Sequence, residues 1–397
     1  MMGRVLFAVP PLTGHVNPAV GIAGELAARG QEVALVGHAS VVGPLVPPSV
    51  PLIALPGEIS ADQRAELEAR SRPLRGPASL KFLWDEFLLP LGASMARDVG
   101  AVVERWRPDV IVADQQAVGV AMVARRRGIR WATLATTSAE LDDPYAVLAG
   151  VGNWVSERLR DFQVANGVPA EEAARGDLRF SEDLTVVCSV PSLLRTASHP
   201  SHHVFVGCAA GLRRSAPEFP WEWLDRDRRT VLVSLGTVTR EAGGRFLRAA
   251  AEALVGMSDR VQAVIVAPPG PLDDLAGQVP DDLLVRPFVP QVDLMAGLDA
   301  IVCHAGNNTV CEALSRGVPL VVAPVRDDQP IIGEQVVRAG AGVRVRFGRS
   351  TPVTLATAIG TVLDEPSHRV AARRLQGEFS AAGGVVAAAD HIEKLLP

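Results

Sequence analysis

The chain is poor in cysteine and aromatic residues, and it lacks the signals of several large protein classes. It has four cysteines and one tyrosine in 397 residues, and aromatic side chains make up 5% of the total. No CxxC pair is present, so we expect reduced thiols in a cytoplasmic protein. No apolar run reaches the ~18 residues of a membrane-spanning helix, and the apolar run at the N-terminus is too short for a signal peptide.

The charge balance also excludes some partners. The chain has 39 Lys and Arg against 44 Asp and Glu, a net charge of −5, with no long basic stripe. Nucleic acid and anionic membranes are therefore not expected partners. No GxGxxG is present, so a dinucleotide site is not supported. The hydrophobic content of 48% indicates a folded chain, and its length predicts two domains.

Polar residues collect in the segment 288–329, which reads as strand, loop, helix, strand and loop. The apolar run LDAIVC is followed by the turn HAGNNT and by a helix that Gly317 ends. In an open α/β sheet, ligands bind at the carboxyl ends of the strands, and a helix N-terminus there suits a phosphate. The residues predicted to contact a diphosphate are His304, Gly306, Asn308 and Thr309, with Glu312 one turn further as a ribose ligand.

This segment resembles the donor-binding signature of the family 1 glycosyltransferases of the GT-B fold, especially the bacterial natural-product enzymes that act on macrolides, enediynes and polyketides. The matching positions are Phe288-Val289-Pro290-Gln291, His304-Ala305-Gly306, Asn308-Thr309, Glu312 and Asp328-Gln329. Plant members begin with a Trp that stacks on uracil. Phe288 stands there in this chain, so uracil and thymine both remain open as the base.

The resemblance implies an α/β protein of two Rossmann-like doubly wound domains facing a central cleft. We expect an acceptor-binding domain at 1–205, a linker at 206–228, a nucleotide-sugar-binding domain at 229–375, and a C-terminal helix at 376–397 that packs back on the first domain. The implied donor contacts are Gly236, Thr237, Phe288, Val289, Gln291, His304, Gly306, Asn307, Asn308, Thr309, Glu312, Asp328 and Gln329.

No metal or cofactor is expected beside the donor. The predicted phosphate site has no DxD motif next to it. A helix dipole, His304 and the hydroxyls of Thr237 and Thr309 would take the role of a metal ion and stabilise the leaving diphosphate. Asp328 and Gln329 would bind the sugar hydroxyls.

His15 and Asp114 are the candidate catalytic pair. His15 lies in TGHVNP, between the strand RVLFAVP and a helix predicted from Pro18 to Ala28 with Asn17 as its N-cap. Asp114 ends the strand in RPDVIVAD. A histidine suits the removal of a hydroxyl proton, and a carboxylate on its other nitrogen would orient it. The GHVNP context and a distant Asp match the family's base and partner. A turn role for His15 and a helix-cap role for Asp114 remain open.

Two further regions are candidates for the acceptor. The segment LKFLWDEFLLPLGASMARDV carries apolar residues at helical spacing. Ordinary core packing is one interpretation. The other is an apolar acceptor pocket that includes Phe82, Trp84 and Phe87, in the region where the family places acceptor contacts. Thr136 follows the strand IRWATLA and is predicted to border the same acceptor.

Two local patterns allow other chemistry. Cys303 next to His304 suggests a Cys-His nucleophile, but neighbouring strand residues point to opposite faces, which favours a buried thiol. His199, His202 and His203 suggest a metal site, but no carboxylate or cysteine completes the set at ligand spacing.

We therefore expect an inverting hexosyltransferase that moves a sugar from a TDP- or UDP-sugar to a hydroxyl of an apolar natural product. The alternatives are a nucleotide-sugar 2-epimerase of the same fold, which has no acceptor pocket, and a non-catalytic nucleotide-sugar-binding accessory protein. The presence of His15, Asp114 and Asp328-Gln329 together argues against the last. The sequence leaves open the acceptor, the sugar, an alcohol or phenol nucleophile, and the oligomeric state, a homodimer included.

Overall fold

The computed structural model describes residues 2–57, 60–74, 76–142, 149–196, 198–209, 218–236, 243–273 and 281–397, without the side chains of residues 61, 64, 149 and 151. The chain forms two compact units. The first unit comprises Met1–Val190, Thr196–Arg214 and Ala382–Pro397, and the second comprises Pro191–Arg195 and Ser215–Ala381. The return to the first unit thus comes at Ala382, six residues after the predicted start of the C-terminal helix at 376.

The first unit is built on a seven-stranded parallel sheet with the order β3-β2-β1-β4-β5-β6-β7. Neighbouring β1 and β4 are where the strand order reverses, which is the point at which open α/β sheets bind ligands. The strands are β1 (Arg4–Ala8), β2 (Glu32–Gly37), β3 (Leu52–Ala54), β4 (Val110–Asp114), β5 (Arg130–Ala135), β6 (Leu184–Val187) and β7 (His203–Phe205).

Continuous apolar runs form the central strands because both faces of this sheet are covered. In β1, Val5 and Phe7 pack into one hydrophobic cluster, and Leu6 and Ala8 pack into a second cluster. The helices of this part of the chain are α1 (Thr13–Ala28), α2 (Ala39–Val42), α3 (Ala61–Ser71), α4 (Pro77–Phe82), α5 (Leu89–Trp106), α6 (Val118–Arg126), α7 (Ala149–Ala165) and α8 (Ala170–Ala173). A π-helical turn (Leu83–Leu88) joins α4 to α5.

The start of α1 differs from the prediction. The helix begins at Thr13 after an extended Leu12, whose carbonyl accepts from the backbone N–H groups of His15 and Val16. Asn17 is therefore not the N-cap, and Pro18 lies inside the helix, where it removes one backbone hydrogen bond. His15 consequently belongs to the first helical turn and not to a loop.

The second unit has a six-stranded parallel sheet with the order β10-β9-β8-β11-β12-β13. Its strand order reverses between β8 and β11. The strands are β8 (Arg229–Ser234), β9 (Val261–Val266), β10 (Leu283–Arg286), β11 (Ala300–Cys303), β12 (Leu320–Val322) and β13 (Gly342–Arg344). The helices are α9 (Gly244–Val255), α10 (Gln291–Leu294), α11 (Asn307–Leu314), α12 (Gln329–Arg338), α13 (Pro352–Asp364) and α14 (Pro366–Ala381). The prediction of two parallel-sheet α/β domains is confirmed.

The last helix, α15 (Gly384–Glu393), packs on the first unit. Its residues Ala388, Ala389 and Ile392 join the cluster that contains Val5 and Phe7. Arg29 at the end of α1 forms ion pairs with Asp390 (2.6 Å) and Glu393 (2.8 Å). Apolar burial and these ion pairs together attach the chain end to the first sheet. No helix in the described ranges is long and apolar enough to cross a membrane.

Two glycines set the close approach of α5 and α6. A Cβ atom on Gly119 would overlap the carbonyl oxygen of Gly92 and lie 2.6 Å from its carbonyl carbon. Gly100, also in α5, has nothing nearer to such an atom than a guanidinium nitrogen of Arg127 at 3.8 Å. Substitution of Gly119 therefore tests the backbone crowding, whereas substitution of Gly100 tests only the intrinsic effect of glycine in a helix.

We predict that Gly119→Ala lowers the free energy of unfolding by about 1–3 kcal/mol, because the helices must move apart. Gly100→Ala is the control and should raise it by about 0.5–1 kcal/mol, since alanine is the better helix former. Urea unfolding of both variants measures the difference. Equal effects of the two substitutions would contradict this explanation of the α5–α6 packing.

Candidate active site

The first unit brings His15 and Asp114 into contact across 99 positions of sequence. His15 is the third residue of α1, which follows β1, and Asp114 is the last residue of the neighbouring β4. The Nδ1 atom of His15 lies 3.0 Å and 2.9 Å from the two carboxylate oxygens of Asp114. The Asp114 side chain is 0% exposed and that of His15 is 14% exposed. The predicted pair therefore exists as a largely buried contact at the carboxyl edge of the sheet.

Two more groups bind the Asp114 carboxylate. The backbone N–H of Gln116 donates to Oδ1 at 2.8 Å, and the hydroxyl of Thr136 lies 2.8 Å from Oδ2. The same hydroxyl is 2.7 Å from Nδ1 of His15. Thr136 follows β5, which pairs with β4, so adjacent strands deliver these side chains. Thr136, predicted as an acceptor contact, thus touches both members of the pair, which its position in the sequence does not indicate.

The contact selects one tautomer of His15. A neutral imidazole carries hydrogen on only one nitrogen, and a lone pair on Nδ1 would face two carboxylate oxygens at hydrogen-bond distance. Nδ1 therefore carries the hydrogen and donates it to Asp114. The basic nitrogen of His15 is then Nε2, which is the arrangement that a general base needs.

The predicted aromatic acceptor residues have different environments. Trp84 is 1% exposed and belongs to the core cluster that contains Leu6 and Ala8, so it packs the core and offers an acceptor no surface. This corrects its prediction as an acceptor ligand. Phe87 is partly buried against the same cluster, and the guanidinium of Arg70 lies 5.3 Å from the ring centre of Phe82. For these two residues the acceptor role stays a prediction.

In the second unit, the turn between β11 and α11 places His304 at the predicted phosphate site. Ala305 has a positive φ of 64° and Gly306 is the extended N-cap, so the chain turns sharply into the helix. Asn307, Asn308 and Thr309 form the first turn of α11, whose backbone N–H groups are not used within the helix. The structure thus puts the predicted polar residues at a helix N-terminus on the carboxyl edge of this sheet.

Two glycines hold the imidazole of His304. A Cβ atom on Gly236, two residues after β8, would lie 2.5 Å from Cε1 of His304, and one on Gly306 would overlap Nε2. Gly236 also has a positive φ of 65°. Only residues without side chains allow this approach, which explains glycine at both positions. Thr237, the other predicted phosphate ligand on this side, lies outside the described residues.

His304 is neutral at physiological pH. Burial lowers its pKa to about 4, against a weaker opposing effect of the backbone of Ser234. The residue is buried, with 8% of its surface exposed, and Nδ1 has no hydrogen-bond partner in the described part of the chain. A bound diphosphate would supply negative charge next to this ring and favour its protonated form.

Gln291 connects the two sides of the candidate nucleotide site. Its Nε2 donates to Oε2 of Glu312 at 3.0 Å, and its Oε1 accepts from the hydroxyl of Ser234 at 3.0 Å. Glu312 is a buried residue of α11. The predicted donor ligand Gln291 therefore orients the Glu312 carboxylate.

Phe288 is 60% exposed, which gives an aromatic surface of the kind on which a base can stack. Val289 next to it accepts a hydrogen bond from the backbone N–H of Gln291.

The predicted sugar-binding residues lie at the start of α12. Asp328 is the N-cap, and Oε1 of Gln329 accepts from the backbone N–H groups of Val325 (2.9 Å) and Arg326 (3.3 Å). The side-chain oxygen of Gln329 thereby stabilises the turn between β12 and α12. Asp327, which is not among the predicted site residues, has a positive φ of 57°, and burial raises its pKa to about 6.

The competing local interpretations receive no support. Cys303 is fully buried and burial raises its pKa to about 12, so it is not a thiolate nucleophile. His202 and His203 contact each other edge to face, with ring centres 4.8 Å apart. Over the described ranges, no group of three His, Cys, Asp or Glu side chains is placed to hold a metal ion.

Comparison with known proteins places this geometry in a family. Residues 252–394 match the family described as erythromycin biosynthesis protein CIII-like, C-terminal domain. The chain is 30% identical to 4'-demethylrebeccamycin synthase of Lentzea aerocolonigenes, over all of both chains.

Solved structures show the same fold. The glycosyltransferase of kitacinnamycin superimposes with a TM-score of 0.78 at 24% identity over all of both chains. The glycosyltransferase VinC, solved in complex with dTDP, gives 0.77 at 19% identity over 99% of each chain.

The two parallel-sheet units and these likenesses define a GT-B protein. The chain belongs to the glycosyltransferases of natural-product biosynthesis, and it is a nucleotide-sugar-dependent enzyme. The family resemblance drawn from residues 288–329 is thereby confirmed.

We predict that His304 makes the protein less stable in mild acid. The unfolded chain binds a proton at this residue below its ordinary pKa of 6.5, whereas the folded chain does so only near pH 4. Stability is therefore lost as pH falls from about 6.5 towards 4, by on the order of 2 kcal/mol at pH 5. Urea unfolding at pH 7.5 and pH 5 should show a smaller loss in His304→Asn than in the wild type. An equal loss in both would contradict the lowered pKa.

Proposed function

We propose that the protein transfers a sugar from a nucleoside diphosphate donor to a hydroxyl of an apolar natural product, with inversion at the anomeric carbon. The second unit binds the donor, and the first unit supplies His15 as the general base with Asp114 as its partner. The observation that carries this proposal is the contact of Nδ1 of His15 with both oxygens of Asp114, whose side chain is fully buried.

The donor assignment is supported by the start of α11. Helix N–H groups and the neutral, enclosed His304 suit the two phosphates, and the fixed carboxylate of Glu312 suits a ribose hydroxyl. Phe288 offers its exposed ring to the base. Thymidine diphosphate is the nucleotide we favour over uridine diphosphate, because the similar fold of VinC was solved with dTDP.

The reaction is a single displacement. Nε2 of His15 takes the proton of the acceptor hydroxyl as its oxygen bonds to the anomeric carbon. The bond from that carbon to the diphosphate oxygen breaks at the same time, and the nucleoside diphosphate leaves with the electron pair. Asp114 stabilises the imidazolium that forms, and the helix dipole of α11 and His304 stabilise the departing charge. Attack from the opposite face inverts the anomeric configuration.

The acceptor class rests on the relatives and on the first unit. The similar enzyme of Lentzea aerocolonigenes is named for the synthesis of 4'-demethylrebeccamycin. Phe82 and Phe87 are partly exposed apolar side chains in the region assigned to the acceptor. We therefore propose an apolar natural product that presents an alcohol or phenol, with Phe82 and Phe87 among its contacts.

Removal of the base should reduce turnover without affecting donor binding. We predict that His15→Ala lowers kcat by about 10²–10⁴-fold, the usual contribution of a positioned base, while the Kd for TDP stays unchanged. Initial rates and calorimetric titration measure the two quantities. His391→Ala, in α15, is the matched histidine control and should keep full activity. Full activity of His15→Ala would overturn the base assignment.

The stereochemistry gives an independent test. We predict that an α-linked TDP-sugar yields a β-linked product, which the anomeric proton coupling in NMR reveals. An α-linked product would contradict a single displacement. Conversion of the donor to its 2-epimer without any acceptor would instead favour the epimerase hypothesis.

A further inference from the structure

We propose that Thr136 is a positioning residue for the candidate base, so that His15, Asp114 and Thr136 act as one hydrogen-bonded unit. The inference rests on the proposed role of His15. It starts from the position of a single hydroxyl, which lies 2.7 Å from Nδ1 of His15 and 2.8 Å from Oδ2 of Asp114. Contact with both members of the pair distinguishes this residue from an ordinary core threonine.

The direction of these hydrogen bonds follows from the tautomer of His15. Because Nδ1 carries a hydrogen, it has no lone pair to accept from Thr136. The hydroxyl hydrogen therefore points to Oδ2 of Asp114, and a lone pair of the same oxygen faces the Nδ1 hydrogen. Thr136 thus donates to the carboxylate and accepts from the imidazole. The contact of the Nδ1 hydrogen with the Thr136 oxygen becomes stronger when His15 is protonated during transfer.

The Asp114 carboxylate depends on such donors because it is fully buried. Its side chain is 0% exposed, and a buried charge without hydrogen bonds is costly. The Gln116 N–H is directed to Oδ1, whereas the Thr136 hydroxyl is directed to Oδ2. Opposed donors on the two oxygens prevent rotation of the carboxylate, and this fixes the plane of the His15 ring.

An acceptor-binding role fits Thr136 less well. The residue is 3% exposed and its hydroxyl already bonds within the pair. Two further contacts hold the segment that carries Thr136. The backbone N–H of Thr137 donates to Oε1 of Gln115 at 3.3 Å, and Glu140 forms a 3.0 Å ion pair with Arg179. These contacts hold the chain after β5 against the protein interior.

The test compares Thr136→Val, which keeps the shape and removes the hydroxyl, with Thr136→Ser, which keeps the hydroxyl. We expect Thr136→Val to lower kcat by about 10–100-fold, less than the about 10²–10⁴-fold contribution of the base itself, with the acceptor KM nearly unchanged. Thr136→Ser should restore most of the rate. Without the Thr136 hydroxyl, the carboxylate charge acts more fully on His15, so the acidic limb of the kcat/KM pH profile should move to higher pH.

Two further measurements separate positioning from other roles. In a His15→Ala background, Thr136→Val should have almost no additional effect, because it acts through His15. NMR of ¹⁵N-labelled histidine should show hydrogen on Nδ1 of His15 in all three proteins, because Asp114 keeps that contact, with a shifted Nδ1 resonance in Thr136→Val alone. If the valine variant does not fold, the smaller Thr136→Ala replaces it in both measurements.

Distinct outcomes overturn the proposal. A raised acceptor KM with unchanged kcat in Thr136→Val would make Thr136 an acceptor ligand. The same fold-loss from Thr136→Val with and without His15 would indicate a purely structural role. Full activity of His15→Ala would refute the proposed function, and the positioning role with it. A strong defect of His15→Ala beside an unaffected Thr136→Val would refute only the inference about Thr136.

Discussion

Asp114 is an anion at the end of a central strand, with a side chain that has no exposed surface. A charge in that position persists only when hydrogen-bond donors surround it. The donors come from three places: the first turn of α1, the backbone just after β4, and the hydroxyl that follows β5. Satisfying this one carboxylate therefore fixes the relative positions of three segments at the carboxyl edge of the first sheet. His15 is oriented as a consequence.

The second unit also encloses a histidine, but without a charged partner among the described residues. His304 is enclosed without a counter-charge, so burial keeps it neutral and lowers its pKa to about 4. Gly236 and Gly306 come from the two strand ends where the sheet order reverses, and both lack the side chain that would displace the ring. The first unit thus holds His15 beside a carboxylate, whereas the second holds His304 without a counter-charge, so that a bound anion could contact it. This difference suits a base in the first unit and a phosphate ligand in the second.

Much of this arrangement follows from the sequence, because parallel strands buried on both faces are continuous apolar runs and their carboxyl ends collect polar residues. That rule predicts the two sheets, the contact of His15 with Asp114, and the helix start after His304. It does not predict hydrogen-bond partners, which depend on strand register and side-chain rotamers. The contact of Thr136 with the pair and the use of Gln291 to orient Glu312 are of this kind. The role of Trp84 was ambiguous because helical spacing is the same for a core face and a pocket wall. The prediction of Asn17 as an N-cap was wrong because the helix tolerates Pro18 in its interior.

We propose that the second unit binds a nucleoside diphosphate at the start of α11, and a thermal-shift titration with TDP and with UDP measures that binding. A ligand that binds the folded state alone stabilises it by about 2.7 kcal/mol at a hundredfold excess over Kd. We expect a rise in Tm that saturates with TDP and a smaller rise with UDP at the same concentration. An unchanged Tm with both nucleotides would contradict the assignment of the donor site.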